Sequence, residues 1–288
     1  MQEKENKSVQ PNLQQKEELL IDIEQVISSK NPALLKWIPR FIIRYLKRIT
    51  HQDDVNRIII SNTHLKGLPF AQAILDDFGV KFKVSGLDQL PTDKRYLFAA
   101  NHPLGGMDGI AFLSAIGQRF PNLKFPVNDI LMNIKGLNNV FLPVNKHGGH
   151  SREAARKLED TYRSDAQVLF FPAGLVSRMQ KGGVIKDLEW KRNFVKKAIE
   201  HQRDIVPVHI SGENTLFFYR LAKWRKRLGI KANIEMLYLP DEMFKQKGQR
   251  LYIRIGTPIP WQKLQETNDA QALAQKIKES VYALAKND

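Results

Sequence analysis

The chain has 288 residues, with 45 Lys and Arg against 30 Asp and Glu, giving a net charge of +15. A surface of this sign attracts anions, whether nucleic acid, anionic lipid or a phosphate-bearing cofactor, and charge alone does not choose among them. The absence of cysteine excludes a thiolate nucleophile, a Cys-ligated metal and a disulfide framework, and suits a reducing compartment.

The length suits one large α/β domain with a helical appendage better than two equal domains. Residues 1–16 are rich in Gln, Glu and Lys without apolar periodicity, which predicts a disordered tail. The first residues are too polar for a secretory signal, and no uncharged apolar run approaches the roughly 18 residues that a spanning helix needs. The expectation is a chain without a spanning helix that lies peripherally on the cytoplasmic face of a membrane.

Residues 17–60 read as a helical, membrane-interfacial region preceding one catalytic-sized domain over 61–288. Within it, between Leu34 and Ile49, the apolar residues Leu34, Leu35, Ile38, Phe41, Ile42, Tyr45, Leu46 and Ile49 recur at helical spacing, while Lys36, Arg40, Arg44, Lys47 and Arg48 fall on the other side. Pro39 predicts a short helix, a break, and a second helix starting beside it. This basic amphipathic segment suits packing on the core or docking at a lipid interface, and both readings stay open.

The body alternates strand-like and helix-like runs. Strands are predicted over 80–84, 96–100, 124–127, 140–144, 167–171, 205–210, 233–239 and 251–255, and helices over 70–78, 109–119, 151–163, 188–201, 215–228 and 269–285. That alternation predicts an α/β fold with a mixed, mostly parallel sheet flanked by helices.

The most informative stretch is Asn101-His102-Pro103-Leu104-Gly105-Gly106-Met107-Asp108, which crosses from an apolar strand to an apolar helix, at the sheet edge where active sites form. A neutral His102 imidazole can take a proton from a hydroxyl, and a carboxylate on its other nitrogen, Asp108, fixes the tautomer and stabilises the imidazolium. Gly105 and Gly106 let backbone N–H groups approach a phosphate or an oxyanion. The plainer alternative makes Asp108 an ordinary helix N-cap and His102 a hydrogen-bonded core residue.

Asn101-His102, a short loop and Asp108 resemble the first motif of the glycerolipid (lysophosphatidic-acid type) acyltransferases, whose signature is His, four residues, Asp. Here five residues intervene, Pro103 to Met107, and their Pro-Leu-Gly-Gly filling looks like the hemolysin-like or lyso-aminolipid O-acyltransferase branch. Downstream, Phe171-Pro172-Ala173-Gly174-Leu175-Val176-Ser177-Arg178 resembles the third family block, Phe-Pro-Glu-Gly-Thr-Arg-Ser. Ile205-Val206-Pro207-Val208 resembles the fourth, and Phe141 through Arg152 stands loosely where the second belongs. The resemblance covers residues 80–212.

It implies transfer of a fatty acyl group from acyl-CoA or acyl-carrier protein to a hydroxyl of a lipid acceptor, with His102 as base and Asp108 as its partner. No permanently bound cofactor or metal is implied, and no nucleic acid. Asn101, Gly105, Gly106, Lys146, Arg152, Pro172, Gly174, Ser177 and Arg178 are the corresponding substrate-binding positions, with oxyanion-stabilising N–H groups near Gly105 or Gly174. Ala173 stands where the family has a Glu often assigned to acceptor binding. Its loss leaves an expected net positive pocket around Arg178, suited to a carboxylate or phosphate, and favours a lyso-aminolipid over a glycerol-phosphate acceptor. Read without the family, Arg178 and Lys181 are solvated loop charges.

His147 and His150 lack the carboxylate or Cys partners of a metal site and read as a polar loop. Lys223-Trp224-Arg225-Lys226-Arg227 reads as a solvated helix terminus or as a contact for anionic headgroups or donor phosphates. Two competing classes remain: a non-enzymatic basic protein that binds membrane or nucleic acid, and a lipid hydrolase using the same His-Asp pair.

Overall fold

A computed structural model describes residues 21–144 and 151–286, so the tail expected over 1–16 lies outside the described residues. Four helices come first: α1 (Ile23–Lys30), α2 (Pro32–Trp37), α3 (Arg40–Ile49) and α4 (Gln52–Ser61). Pro39 is the N-cap of α3, so the break falls where its fixed φ and missing N–H place it. Then come α5 (Leu68–Asp77), β1 (Lys81–Ser85), β2 (Tyr96–Ala100), α6 (Met107–Gly117), β3 (Leu123–Val127), β4 (Phe141–Pro143), α7 (Ser151–Arg163) and β5 (Gln167–Phe170). A small hairpin, β6 (Arg178–Met179) and β7 (Ile185–Lys186), precedes α8 (Asn193–Glu200) and β8 (Asp204–Ile210). The chain ends with α9 (Leu216–Arg227), α10 (Leu239–Phe244), β9 (Arg250–Ile255), α11 (Trp261–Leu264) and α12 (Ala270–Ala283).

The 7-stranded sheet has the order β1-β9-β8-β2-β5-β3-β4. From β8 to β4 the neighbours run parallel, β9 is antiparallel to β8, and β1 is parallel to β9. This is the mixed, mostly parallel α/β architecture expected. Strand β2 is buried along its whole length because both faces of the sheet are covered. Tyr96, Phe98 and Ala100 join the core built with Phe70, Leu75, Phe112 and Ile116 of α5 and α6. Leu97 and Ala99 face the opposite core, with Phe194 of α8, Trp190, and Ala274 and Val281 of α12.

Two expected elements are corrected. Residues 233–239 form a 3-10 turn (Ile234–Tyr238) leading into α10, not a strand. Glu235 is drawn inward there by Arg178 and Arg225, and Pro240 in the first turn of α10 suits a helix start. The helix expected over 188–201 is shortened to α8, because Trp190 is turned into the core and its indole Nε1 donates to Asp187.

At the sheet edge away from the His102 loop, Arg203 is fully buried. Its guanidinium donates to the carbonyls of Thr161 and Tyr162 in the last turn of α7, and to those of Ser164, Ala166 and Tyr96. Burial pulls its pKa down to about 10, so it stays charged at neutral pH and caps the negative end of the α7 dipole. Arg203→Met strands several buried carbonyls and is expected to lower unfolding stability by at least about 3 kcal/mol. Arg203→Lys, without the planar fork, is expected to recover only part of that loss in urea midpoints.

Candidate active site

The loop after β2 carries the expected dyad. Asp108 lies inside the first turn of α6, two residues beyond the N-cap position, which is Gly106. Its carboxylate is fully buried and accepts three hydrogen bonds: from Leu104 N at 2.8 Å and His102 Nδ1 at 2.9 Å on Oδ2, and from Gly109 N at 2.8 Å on Oδ1. A carboxylate only accepts, so Nδ1 carries the proton and Nε2 presents its lone pair. Nε2 has no hydrogen-bond partner among the described residues. The imidazole stacks on Phe171 at 4.0 Å between centroids, which fixes the ring plane. The arrangement leaves Nε2 an oriented proton acceptor, which a helix N-cap role for Asp108 alone does not account for.

The loop closes through Gly105, whose φ of 94° is open to glycine and strained for other residues. A Cβ there would also meet Leu239 of α10 at 2.9 Å. The N–H groups of Gly105 and Gly106 make no hydrogen bond among the described residues, and both residues are half-buried at the α6 N-terminus. The Gly174 N–H is instead spent on Phe171 O at 3.0 Å. Pro172 is buried, while Gly174 is exposed.

His102 is also held by its backbone. Its carbonyl accepts from Ser177 N at 2.7 Å, and its N–H donates to Asp187 Oδ1 at 3.2 Å. Ser177 Oγ donates to the same Oδ1 at 2.6 Å, Trp190 Nε1 donates to Oδ2 at 2.8 Å, and the Asp187 N–H donates to Tyr282 Oη at 2.7 Å. Burial is the largest influence on Asp187 and pushes its pKa up against these hydrogen bonds. Asp187, Trp190 and Tyr282 were not legible beforehand: they lie outside any family block, and no spacing links them.

Asn101 is 3% exposed, and its amide pairs in both directions with the Ile210 backbone at the end of β8, at 2.8 and 2.7 Å. It therefore fixes the loop to the sheet. Arg178 is buried: its guanidinium donates to Val176 O and Ser177 O, pairs with Glu235 at 3.0 Å, and lies over the Phe218 ring. Glu235, fully buried, also pairs with Arg225 Nε at 2.8 Å. The expected surplus of positive charge around Arg178 is thus corrected, since an acidic residue from a distant segment replaces the carboxylate that Ala173 lacks. Burial lowers the Arg178 pKa while Glu235 opposes that shift. Arg225 is likewise drawn away from its expected place among solvated charges. Arg152 is exposed in the first turn of α7, and Lys146 with the 147–150 cluster lies outside the described residues. Glu159, Glu200 and His201 have metal-like spacing, but the Lys197 ammonium lies 2.7 and 2.8 Å from the two carboxylates and already supplies the cation.

The chain belongs to the acyltransferase family, whose profile matches residues 25–288. It is 45% identical over 266 residues to a lyso-glycine lipid O-acyltransferase of Phocaeicola vulgatus, covering 92% of this chain and 95% of the relative. Identity is 42% over 266 residues to the protein of that name from Bacteroides thetaiotaomicron, covering 92% and 97%. The crystal structure of the 1-acyl-sn-glycerophosphate (LPA) acyltransferase PlsC from Thermotoga maritima aligns with a TM-score of 0.47 at 15% identity, over 85% of this chain and 96% of that one. The chain is therefore an enzyme, and the non-enzymatic reading of its basic surface gives way.

Near the dyad, on β8, His209 is 8% exposed and its Nδ1 has no partner. Burial, and secondarily Arg254, lower its pKa from 6.5 to about 4. The folded state keeps this group neutral while the unfolded chain protonates it below pH 6.5, so its contribution is present above 6.5 and lost as pH falls towards 4. Acidification from pH 7 to 4 is expected to cost the wild type about 3 kcal/mol more than His209→Gln in urea unfolding.

Proposed function

We propose that this enzyme transfers a fatty acyl group from a pantetheine thioester, acyl-CoA or acyl-carrier protein, to the hydroxyl of a lyso-aminolipid, working peripherally at the cytoplasmic face of a membrane. The observation that carries the reaction is the His102–Asp108 dyad, with Nδ1 on a buried carboxylate and Nε2 open. Nε2 takes the proton of the acceptor hydroxyl as its oxygen attacks the thioester carbonyl. The tetrahedral oxyanion forms beside the α6 N-terminus, where the Gly105 and Gly106 N–H groups supply donors. Collapse expels the thiolate, which takes the proton back from Nε2, giving an ester and a free thiol. Asp108 holds the tautomer throughout and balances the imidazolium. With no cysteine in the chain, direct attack needs no acyl-enzyme.

Acceptor choice is supported by the two relatives, both lyso-glycine lipid O-acyltransferases. Among the described residues no helix is long and apolar enough to cross a membrane. Peripheral attachment is supported by α2 and α3, where Ile43 and Ile49 are buried while Trp37 is 84% and Phe41 64% exposed, next to Arg40, Arg44 and Arg48. Tyr45 hydroxyl meets the Tyr238 hydroxyl at 2.6 Å, and Tyr238 packs edge-on against the exposed Phe217 of α9. Aromatic rings interleaved with cations suit the headgroup region of an anionic bilayer.

His102→Ala is expected to lower turnover by about 10²- to 10⁴-fold, and Asp108→Asn to lower it while leaving the fold intact. The assay supplies acyl-CoA or acyl-carrier protein with a lyso-aminolipid or lysophosphatidate, and scores O-acylated product against free fatty acid. Near-wild-type turnover by His102→Ala removes the base, and release of fatty acid without ester identifies a hydrolase. Trp37→Ala with Phe41→Ala is expected to lower flotation with anionic vesicles at least about tenfold, each ring contributing roughly 1.5–3 kcal/mol of buried apolar surface.

A further inference from the structure

Across the sheet from the His102 imidazole lies a second concavity. His102 stacks on Phe171, on the core face shared by Val206, Val208 and Ile210 of β8, whereas His209 alternates to the other face. There the ends of β8 and α12 and the middle of β9 enclose a cavity of about 360 Å³. Asn101, Pro103 and Ser177 form one wall, so the cavity abuts the loop that carries the base. His209, Ser211, Tyr252 and Arg254 form another.

Three features of this cavity select its ligand. The His209 Nδ1 is buried and unpartnered, a hydrogen-bonding atom without a use in the fold. Arg254, opposite His209 in the β8–β9 register, brings a guanidinium beside it. Finally, the parallel pairing of Lys81 with Arg250, Lys83 with Tyr252 and Ser85 with Arg254 sets four cations on the same side of the β1–β9 ribbon, and neither strand carries an acidic residue. Lys81, Lys83, Arg250 and Tyr252 are exposed, so among the described residues no helix covers this side. Glu213, the one carboxylate among the cavity's lining residues, is itself exposed. A cationic approach ending on a guanidinium and neutral hydrogen-bonding groups suits a phosphate.

We propose that this cavity, with the β1–β9 ladder as its approach, holds the phosphate end of the thioester donor, the phosphate that terminates the phosphopantetheine arm of both coenzyme A, where it is part of a diphosphate, and acyl-carrier protein, where it is a phosphodiester. This rests on the reading of the donor given above. The arm passes over the 101–106 loop and delivers the thioester to Nε2 on the other side.

The test is calorimetric titration with unacylated coenzyme A, together with donor and acceptor KM values. His102→Ala is expected to bind coenzyme A as the wild type does. Arg254→Gln, and separately the exposed pair Lys83→Glu with Arg250→Glu, are expected to weaken it at least about tenfold, the scale of one charge-assisted hydrogen bond. The donor KM is expected to rise alongside for acyl-CoA and acyl-carrier protein alike, and the acceptor KM to stay put. Lys263→Glu, exposed on α11 beside the opposite end of β8, is the control and is expected to change nothing. Unaltered coenzyme A affinity in the folded Lys83→Glu/Arg250→Glu variant overturns the proposal. So does an acceptor KM that rises in place of the donor's, which assigns the cavity to the acceptor's anion, or an effect confined to acyl-carrier protein, which needs only a protein contact on the ladder. A wild type that binds coenzyme A yet transfers no acyl group from either donor refutes the reaction and leaves this site standing.

Discussion

The site depends on one buried carboxylate. Asp108 has no contact with water, and an isolated anion in such a place is costly unless it is fully hydrogen-bonded. Three donors from the loop and helix around it meet that requirement, and one of them is the His102 imidazole. The need to satisfy Asp108 thus sets the loop path, the His102 tautomer and the direction in which Nε2 points. The α6 dipole adds to this, since a negative charge belongs at a helix N-terminus.

Arginines divide into two populations that net charge cannot distinguish. Arg203, Arg178 and Arg225 are turned inward, the first onto carbonyls and the other two onto Glu235. They hold segments together and offer no exposed guanidinium to an anionic partner. Arg40, Arg44, Lys81, Lys83 and Arg250 are exposed, the first two beside exposed aromatic rings and the other three along one polar strand pair.

Much of the architecture was legible because its rule is local. Strand β2 is an uninterrupted apolar run, α6 an apolar helix after glycines, and α3 starts at a proline. The dyad was legible because its members lie six residues apart, across one loop and the first turn of the helix it enters. What was not legible depends on pairs far apart in sequence. Glu235 reads as one polar residue in an apolar run, so residues 233–239 look like a strand until Arg178, 57 positions away, draws the side chain inward. Asp187 reads as an isolated acid before a helix, and its contact with the His102 backbone spans 85 positions. Neither partnership leaves a period or a spacing in the sequence.

The hydrogen bond from Ser177 N to His102 O has a bearing on how such an enzyme diversifies. A main-chain donor is supplied by every residue type except proline, so drift at position 177 need not displace His102. The turn between Phe171 and Ser177 can then gain a residue, or exchange a Glu for Ala173, while its last amide still reaches the same carbonyl. Position and side-chain chemistry are in this sense separately heritable: His102 is anchored by backbone, and the side chains of the turn beside it are left to vary.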